Sequence, residues 1–258
     1  MFNKFVNRYI IGADLVTETA IHVGASFHEL RPSVVDNQVL KDINGKPYIP
    51  GSSLKGVLRS FLERTLASNE DLNVCNVNNM CLENISRGDD RKKILEGKTE
   101  EEFAQYIYDN ICLVCSIFGG LNNGGKLMVR DAKLKGEEYF SGFEIRNGVT
   151  IDRDKNIAEK NRLYKVEVVP AGTVFSFKTI ANNLTHEEWK YILLLIKTME
   201  EGYIEIGGLT SRGLGSFKLE NTIIEKIEGK EIFQSILSGD KDLVSLESEL
   251  EKVGDFNV

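Results

Sequence analysis

The sequence predicts an α+β fold of the ferredoxin-like type, and three observations lead there. Apolar runs opening at residue 5 and recurring near 126–130, 175–178 and 203–206 have the short, alternating character of strands. The segments Leu54 to Leu66 and Trp189 to Met199 instead repeat apolar residues every three or four positions, the mark of a helix with one buried stripe. In chain order these give strand, helix, strand, strand, helix, strand, the succession of an antiparallel sheet carrying both helices on one face.

Each element has its own signal. Residues 5–23 read as an opening strand with a second apolar run, Ala20-Ile21-His22-Val23, closed by Gly24. Residues 24–38 show no period and read as a loop. Asn44-Gly45, flanked by Val39-Leu40 and Tyr48-Ile49, is a hairpin turn. Pro50-Gly51-Ser52-Ser53 opens the first helix, with a serine as the expected N-cap and Leu54, Val57, Leu58, Phe61, Leu62 and Leu66 as its buried stripe. Residues 70–98 are rich in Asn, Asp and Lys and read as an insertion. Thr99 with Glu102, and Thr185 with Glu188, have the spacing of capping boxes. Between them, residues 144–169 end in the alternating run Leu163 to Val169 and predict a protruding β-hairpin.

Composition removes several classes of protein. With 258 residues, 41% hydrophobic, 28% charged and only 4 Pro, the chain is neither collagen-like, disordered nor a coiled coil. It has no apolar run of about 18 residues and opens Met1-Phe2-Asn3-Lys4-Phe5 without a signal-peptide core, so a cytoplasmic protein without a membrane span is expected. The net charge of −7 argues against a polyanion partner until its distribution is considered. From Glu220 onward ten Asp and Glu face four Lys, whereas residues 1–65 hold eight Lys and Arg against six Asp and Glu. A local basic surface therefore coexists with an acidic tail.

Three segments point to chemistry. All four cysteines fall between 75 and 115, as Cys75-x5-Cys81 and Cys112-x2-Cys115. A Cys-x2-Cys knuckle offers two thiolates to one ion, and a second pair completes a tetrahedral site, so structural zinc is expected, with four unrelated thiols, Cys112 and Cys115 simply buried, as the alternative. In Ile49 to Arg59, a helix N-terminus carries Ser52, Ser53, Lys55 and Arg59, a set suited to phosphate. The spacing is not that of a Walker A loop, and two solvated cations on a capped helix are the plainer reading. The run Gly207 to Gly215 places four glycines around Arg212, where a backbone or phosphate can approach closely, although such turns are more often bulges.

Together these segments carry a resemblance. Gly24 after Ile21-His22-Val23, Val35-Asp36-Asn37-Gln38-Val39, Tyr48 to Gly56, Phe118-Gly119, Gly148-Val149-Thr150-Ile151-Asp152-Arg153 and Gly207 to Gly215 follow in that order. The series resembles the RAMP superfamily over roughly residues 8–220, most closely the backbone subunit of type III, Csm-type CRISPR effector complexes.

The resemblance implies an RRM-related, ferredoxin-like core over residues 1–220, with a cysteine-containing insertion at about 70–115 and a thumb hairpin at about 144–169. The acidic extension 221–258 lies outside it and is expected on an outer surface or against a protein partner. The implied partners are a CRISPR guide RNA, complementary target RNA, further copies of the chain and other effector subunits. Asp36 is at the position of the family's catalytic aspartate, which cleaves target RNA with Mg2+ or Mn2+. Ser52, Ser53, Lys55, Arg59, Arg153 and Arg212 are the expected RNA contacts. The loop before Asp36 reads Phe27-His28-Glu29-Leu30-Arg31-Pro32 where the family tends to be glycine-rich. A purely structural RNA-binding subunit is the rival reading, and a stand-alone guide-processing ribonuclease using His28 is the third. His22 in its apolar strand reads as a core or RNA-packing residue rather than a base, His186 as a solvated helix start and Asp42 as a turn cap.

Overall fold

A computed structural model describes residues 4–24, 35–69, 72–75, 81–82, 97, 99–136, 140–152, 157–239 and 241–254. Its centre is strand β1 (Asn7–Thr17), in which Tyr9, Ile11, Leu15 and Thr17 are buried and their neighbours only partly so. On one side β1 pairs antiparallel with β7 (Val174–Asn182), on the other with β8 (Phe217–Glu228). The sheet is extended past β7 by β3 (Leu127–Val129) and β4 (Ala132–Leu134), then by β2 (Tyr48–Ile49), and past β8 by β9 (Asp242–Val244). All these pairings are antiparallel. The molecule is thus a mixed α+β protein built on an antiparallel sheet.

Two helices cover the buried face. Helix α1 (Gly51–Leu66) buries Leu54, Leu58, Leu62 and Leu66, the i, i+4 row that its sequence predicts. Helix α4 (His186–Glu200) buries Trp189, Ile192, Leu193, Ile196 and Met199. Both stripes join Ile11, Leu15, Phe175, Phe177 and Phe217 in one apolar cluster. Between the helices in sequence lie α2 (Glu100–Asp109) and α3 (Leu113–Phe118). A separate two-stranded sheet is formed by β5 (Glu144–Asp152) and β6 (Ile157–Val168). It is anchored through Val166 and Val168, which pack with Ala20 and Leu214.

Four local expectations are altered. Helix α1 is capped at Pro50 rather than a serine, because the Gly51 N–H donates to Asp131 Oδ1 (2.8 Å), which supplies from a distance the acceptor that a capping serine would provide. The apolar run at 203–206 forms only a bridge, Glu205 to Ser216, and the last long strand begins at Phe217. The run at 21–23 likewise makes only isolated bridges, Ile21 to Val169 and, at Gly24, to Val39. Strand β8 also runs through position 220 to Glu228, so residues 221–228 belong to the central sheet. Beyond it, α5 (Ile232–Ser238) and α6 (Leu246–Val253) follow, and α6 docks on α4 where Trp189 Nε1 donates to Glu249 Oε2 (3.1 Å).

Both capping boxes are formed. That at Thr185 is more than a cap, since Glu188 is also buried against Lys126, whose Nζ lies 2.6 and 2.8 Å from its two carboxylate oxygens. Burial alone pushes the Glu188 carboxyl up. Hydrogen bonds from Lys126, Ser116 and the Thr185 amide, with the Lys126 charge, outweigh that and leave it below the usual carboxylate range.

Candidate nucleic-acid interface and metal centre

The four cysteines converge. Cys112 caps α3 and Cys115 lies in its first turn, so the Cys-x2-Cys spacing puts both sulfurs at one helix end. Cys75 and Cys81 approach that end, and the four sulfurs all lie within 4.8 Å of one another. Cys75 Sγ is 3.2 Å from Cys115 Sγ and 3.6 Å from Cys112 Sγ. Four thiolates around a tetrahedral ion at a metal–sulfur distance of about 2.3 Å have sulfur–sulfur edges of about 3.8 Å, so this cluster can hold a metal such as zinc. Four protein ligands leave no open coordination position, which suits a structural ion. Hydrogen bonding from the Cys115 thiol, reinforced by backbone N–H groups, holds Cys112 down at about 4, while burial pushes Cys81 up to about 11. The hydrogen bond to Cys112, then burial, raises Cys115. The cluster therefore readily supplies its first thiolate at Cys112.

Tight turns hold the knuckle. Gly119 has φ +93°, and a Cβ there would lie 2.8 Å from the Gly125 nitrogen. Asn123 Nδ2 donates to the Cys115 carbonyl (2.7 Å), closing the loop back on the helix.

At the start of α1, Gly51 is required because a Cβ would sit 2.3 Å from the Val129 carbonyl oxygen. The Ser53 and Leu54 amides bond to the Pro50 carbonyl, and the Gly51 amide goes to Asp131. Ser52 is exposed and Ser53 half-buried. Lys55 turns toward the sheet, with Nζ on the Leu127 carbonyl (3.0 Å), and burial together with the neighbouring Arg59 charge lowers its pKa. Arg59 turns toward the cysteine knuckle, donating to Glu63 Oε1 (2.8 Å) and the Gly119 carbonyl (2.9 Å).

The glycine-rich run folds over the base of the β5–β6 hairpin. Gly207, at φ +89°, passes so near His22 that a Cβ would lie 2.3 Å from the His22 carbonyl oxygen, and that carbonyl accepts the Gly208 amide (2.8 Å). Leu209 and Gly213, both left-handed, bracket a turn of 3-10 helix that carries Arg212 to the Tyr164 hydroxyl. Arg146, Asn147, Tyr164, Leu209, Arg212 and Leu214 line a cleft of about 160 Å³ there.

Asp36 is at the same base. It is exposed, and its Oδ2 accepts the backbone N–H of Lys165 in β6 (2.7 Å). Asn37 continues the attachment, donating its N–H to the Lys165 carbonyl (3.1 Å) and accepting from Glu167 (2.9 Å). The Glu167 carboxylate accepts the Val39 amide (3.0 Å) and Lys41 Nζ (2.8 Å). The segment bearing Asp36 is thus laced to the hairpin through four residues, Asp36, Asn37, Val39 and Lys41. Arg153 and His28 lie outside the described residues.

A sequence profile described as the RAMP superfamily matches residues 14–218. The chain belongs to the RAMP superfamily. Its curated relatives include proteins named CRISPR system Cms endoribonuclease Csm3 in three organisms. The one from Methanocaldococcus jannaschii is 29% identical over 95% of this chain and 94% of its own length. The one from Methanothermobacter thermautotrophicus is 25% identical over 86% and 88%, and that from Streptococcus thermophilus 26% identical over 81% and 85%.

Several structural residues of this RAMP chain escape sequence reasoning. Glu167 reads as an outward residue of an alternating strand, yet it is buried and organises the segment 37–41. Asp131 gives no signal of capping a helix that begins 80 positions earlier. Tyr164 could have been found from its register, since it stands opposite Gly148. Asp42 is the turn cap that its position suggests, accepting the amides of Asn44 and Lys46 (both 2.9 Å). His22 is half-buried rather than part of the core, with Nδ1 donating to the Glu167 carbonyl (2.8 Å).

Proposed function

We propose that this chain is the guide-RNA-binding backbone subunit of a type III, Csm-type CRISPR complex acting in the cytoplasm. In this reading it cleaves complementary target RNA at regular intervals and assembles with further copies of itself and other effector subunits. The observation that carries the reading is the position of Asp36, exposed at the base of the β5–β6 hairpin and hydrogen-bonded to it. The three relatives, matched over most of their length and named as endoribonucleases, support the activity. The finer fold reading is a ferredoxin-like, RRM-related core across residues 1–220, with a zinc-binding insertion and a thumb made by β5 and β6. Its support is the order in which the β3/β4 edge, β7, β1 and β8 lie side by side.

The chemistry follows from RNA itself. Internal attack needs a 2′-hydroxyl in line with the scissile phosphate and a counter to the charge that builds on the phosphoryl oxygens. A hairpin that parts the duplex frees the backbone to reach that alignment. Asp36 would contribute a single carboxylate oxygen to a divalent ion, because its Oδ2 already accepts the Lys165 amide. Oδ1 of Asp36 would hold it, and Mg2+ or Mn2+ there supplies the positive charge. The Lys165 amide fixes the carboxylate. Ser52, Ser53, Lys55, Arg153 and Arg212 contact guide phosphates, a sequence-independent role.

The test uses the assembled complex with complementary RNA, with and without magnesium. Asp36→Ala and Asp36→Asn should each lose at least about a hundred-fold in cutting rate, with guide and target binding intact. RNA bearing a 2′-deoxy at the cut site should resist. Asp36→Ala complexes that cut at the same positions overturn the assignment. The structural rival draws on the same hydrogen bond, since a carboxylate that anchors a hairpin needs no other task. Asn retains an acceptor for Lys165, so full cutting by Asp36→Asn favours anchoring over catalysis.

A further inference from the structure

Helix α1 reaches the cysteine cluster through Arg59. Arg59 is held from one side by Glu63, one turn along, and its two terminal nitrogens diverge onto α3 and the turn after it. Nη1 donates to the Gly119 carbonyl (2.9 Å) and Nη2 lies 3.8 Å from Cys115 Sγ. Arg59 is half-buried, so its guanidinium is held against the knuckle with little access to water.

Four thiolates around one divalent ion leave two net negative charges, and Cys75 and Cys115 are buried. Buried charge is costly without a partner. The guanidinium meets both needs of such a site. It brings a positive charge to the sulfur cluster, and its planar fork grips the knuckle at a sulfur and a carbonyl together.

We propose that Arg59 is an outer-sphere positioning residue of the Cys75, Cys81, Cys112 and Cys115 metal centre, donating to the Cys115 thiolate and fixing the Cys112–Gly119 turn in ligating geometry. This rests on reading the four cysteines as a metal site. It also ties the metal to the helix whose first turn carries Ser52, Ser53 and Lys55.

The test loads the full chain with zinc, or with cobalt as a coloured substitute, in wild type, Arg59→Met, Arg59→Lys and Arg64→Met. Arg64 is an exposed cation farther along the same helix and serves as the control. Arg59→Met should release zinc to a chromogenic chelator about 10- to 100-fold faster, the usual effect of losing an outer-sphere partner. Its thiolate-to-cobalt charge-transfer bands should move to longer wavelength, because an undonated thiolate gives up charge more easily. Arg59→Lys, with the charge but not the fork, should fall between, and Arg64→Met should match wild type. The spectral shift separates ligand tuning from a general loss of stability. Wild-type release rates and spectra in Arg59→Met overturn the proposal, as do wild-type spectra in Arg59→Lys if the methionine variant fails to fold. A wild-type chain that takes up neither metal instead overturns the metal reading on which it rests.

Discussion

Gly148 and Tyr164 stand opposite each other in the β5–β6 register, and a Cβ on Gly148 would lie 2.1 Å from the tyrosine Cζ. The ring lies across the bare glycine backbone, and its hydroxyl meets Arg212 from the glycine-rich loop. Gly148→Val must therefore displace the ring and strip Arg212 of this partner. Guide-RNA affinity should fall about ten-fold, near 1.4 kcal/mol, while Tyr164→Phe, which keeps the ring, should lose less. Filter binding of the two variants checks the order, and equal affinities would detach Arg212 from RNA.

Gly56 is an exposed mid-helix glycine in α1, with nothing within 4 Å of the place a Cβ would occupy. Gly56→Ala should stabilise the chain by about 0.5–1 kcal/mol by reducing the freedom of the unfolded state, a gain of a few degrees in Tm. If guide phosphates run along this face, the added methyl should weaken RNA binding even as stability rises. Unchanged affinity would move the RNA path away from Gly56.

The buried Glu188–Lys126 pair carries an acid sensitivity. Because the folded Glu188 carboxyl titrates below its unfolded value, its contribution is fully present above the unfolded carboxylate range near 4.3–4.5 and is lost as pH falls through the lower folded pKa. Glu188→Gln should remove that part of the acid dependence and cost about 3–5 kcal/mol at pH 7, because Lys126 is left charged and buried. Urea denaturation at pH 7 and pH 4 reads both effects. Glu188→Leu paired with Lys126→Met should recover much of the loss.

Metal removal gives a further prediction. The purified chain should carry about one zinc, and Cys112→Ser with Cys115→Ser should carry none, because those two sulfurs form the helix-capping half of the site. Chelation of the wild type should lower its Tm. Elemental analysis decides, and unchanged zinc in the double variant excludes these ligands.

Much of this was legible where the signal is local. The leucine row of α1, the two capping boxes, the Asn44-Gly45 turn and the cysteine knuckle each lie within a few residues. What escaped depends on distant partners. Strand β8 hides its alternation because two residues, Asn221 and Thr222, oppose Ala13 alone, and Asn221 takes φ +55°, so the buried set moves from Phe217 and Leu219 to Ile224. The short apolar run at 203–206 looked more strand-like than the strand itself. The cap of α1 is not the serine that the local sequence suggests, because its acceptor, Asp131, comes from beyond β3. At the candidate site, Asp36 was found by motif, whereas its attachment to Lys165 emerges only when the hairpin folds back.

The central place of β1 has a consequence for how the protein is made. Its nearest sheet neighbour in sequence is β7, where Val16 meets Val174, and its other neighbour closes only at Glu228. At a synthesis rate of about 5–20 residues per second, the apolar side chains of β1 leave the ribosome some 8–30 s before either neighbour exists. The nascent chain cannot complete its core from the N-terminus forward, and such long-range closure is slow in any setting. During that interval Tyr9, Ile11 and Leu15 are bare of the strands that flank them in the finished sheet, and the last of that cover arrives only with the final quarter of the chain.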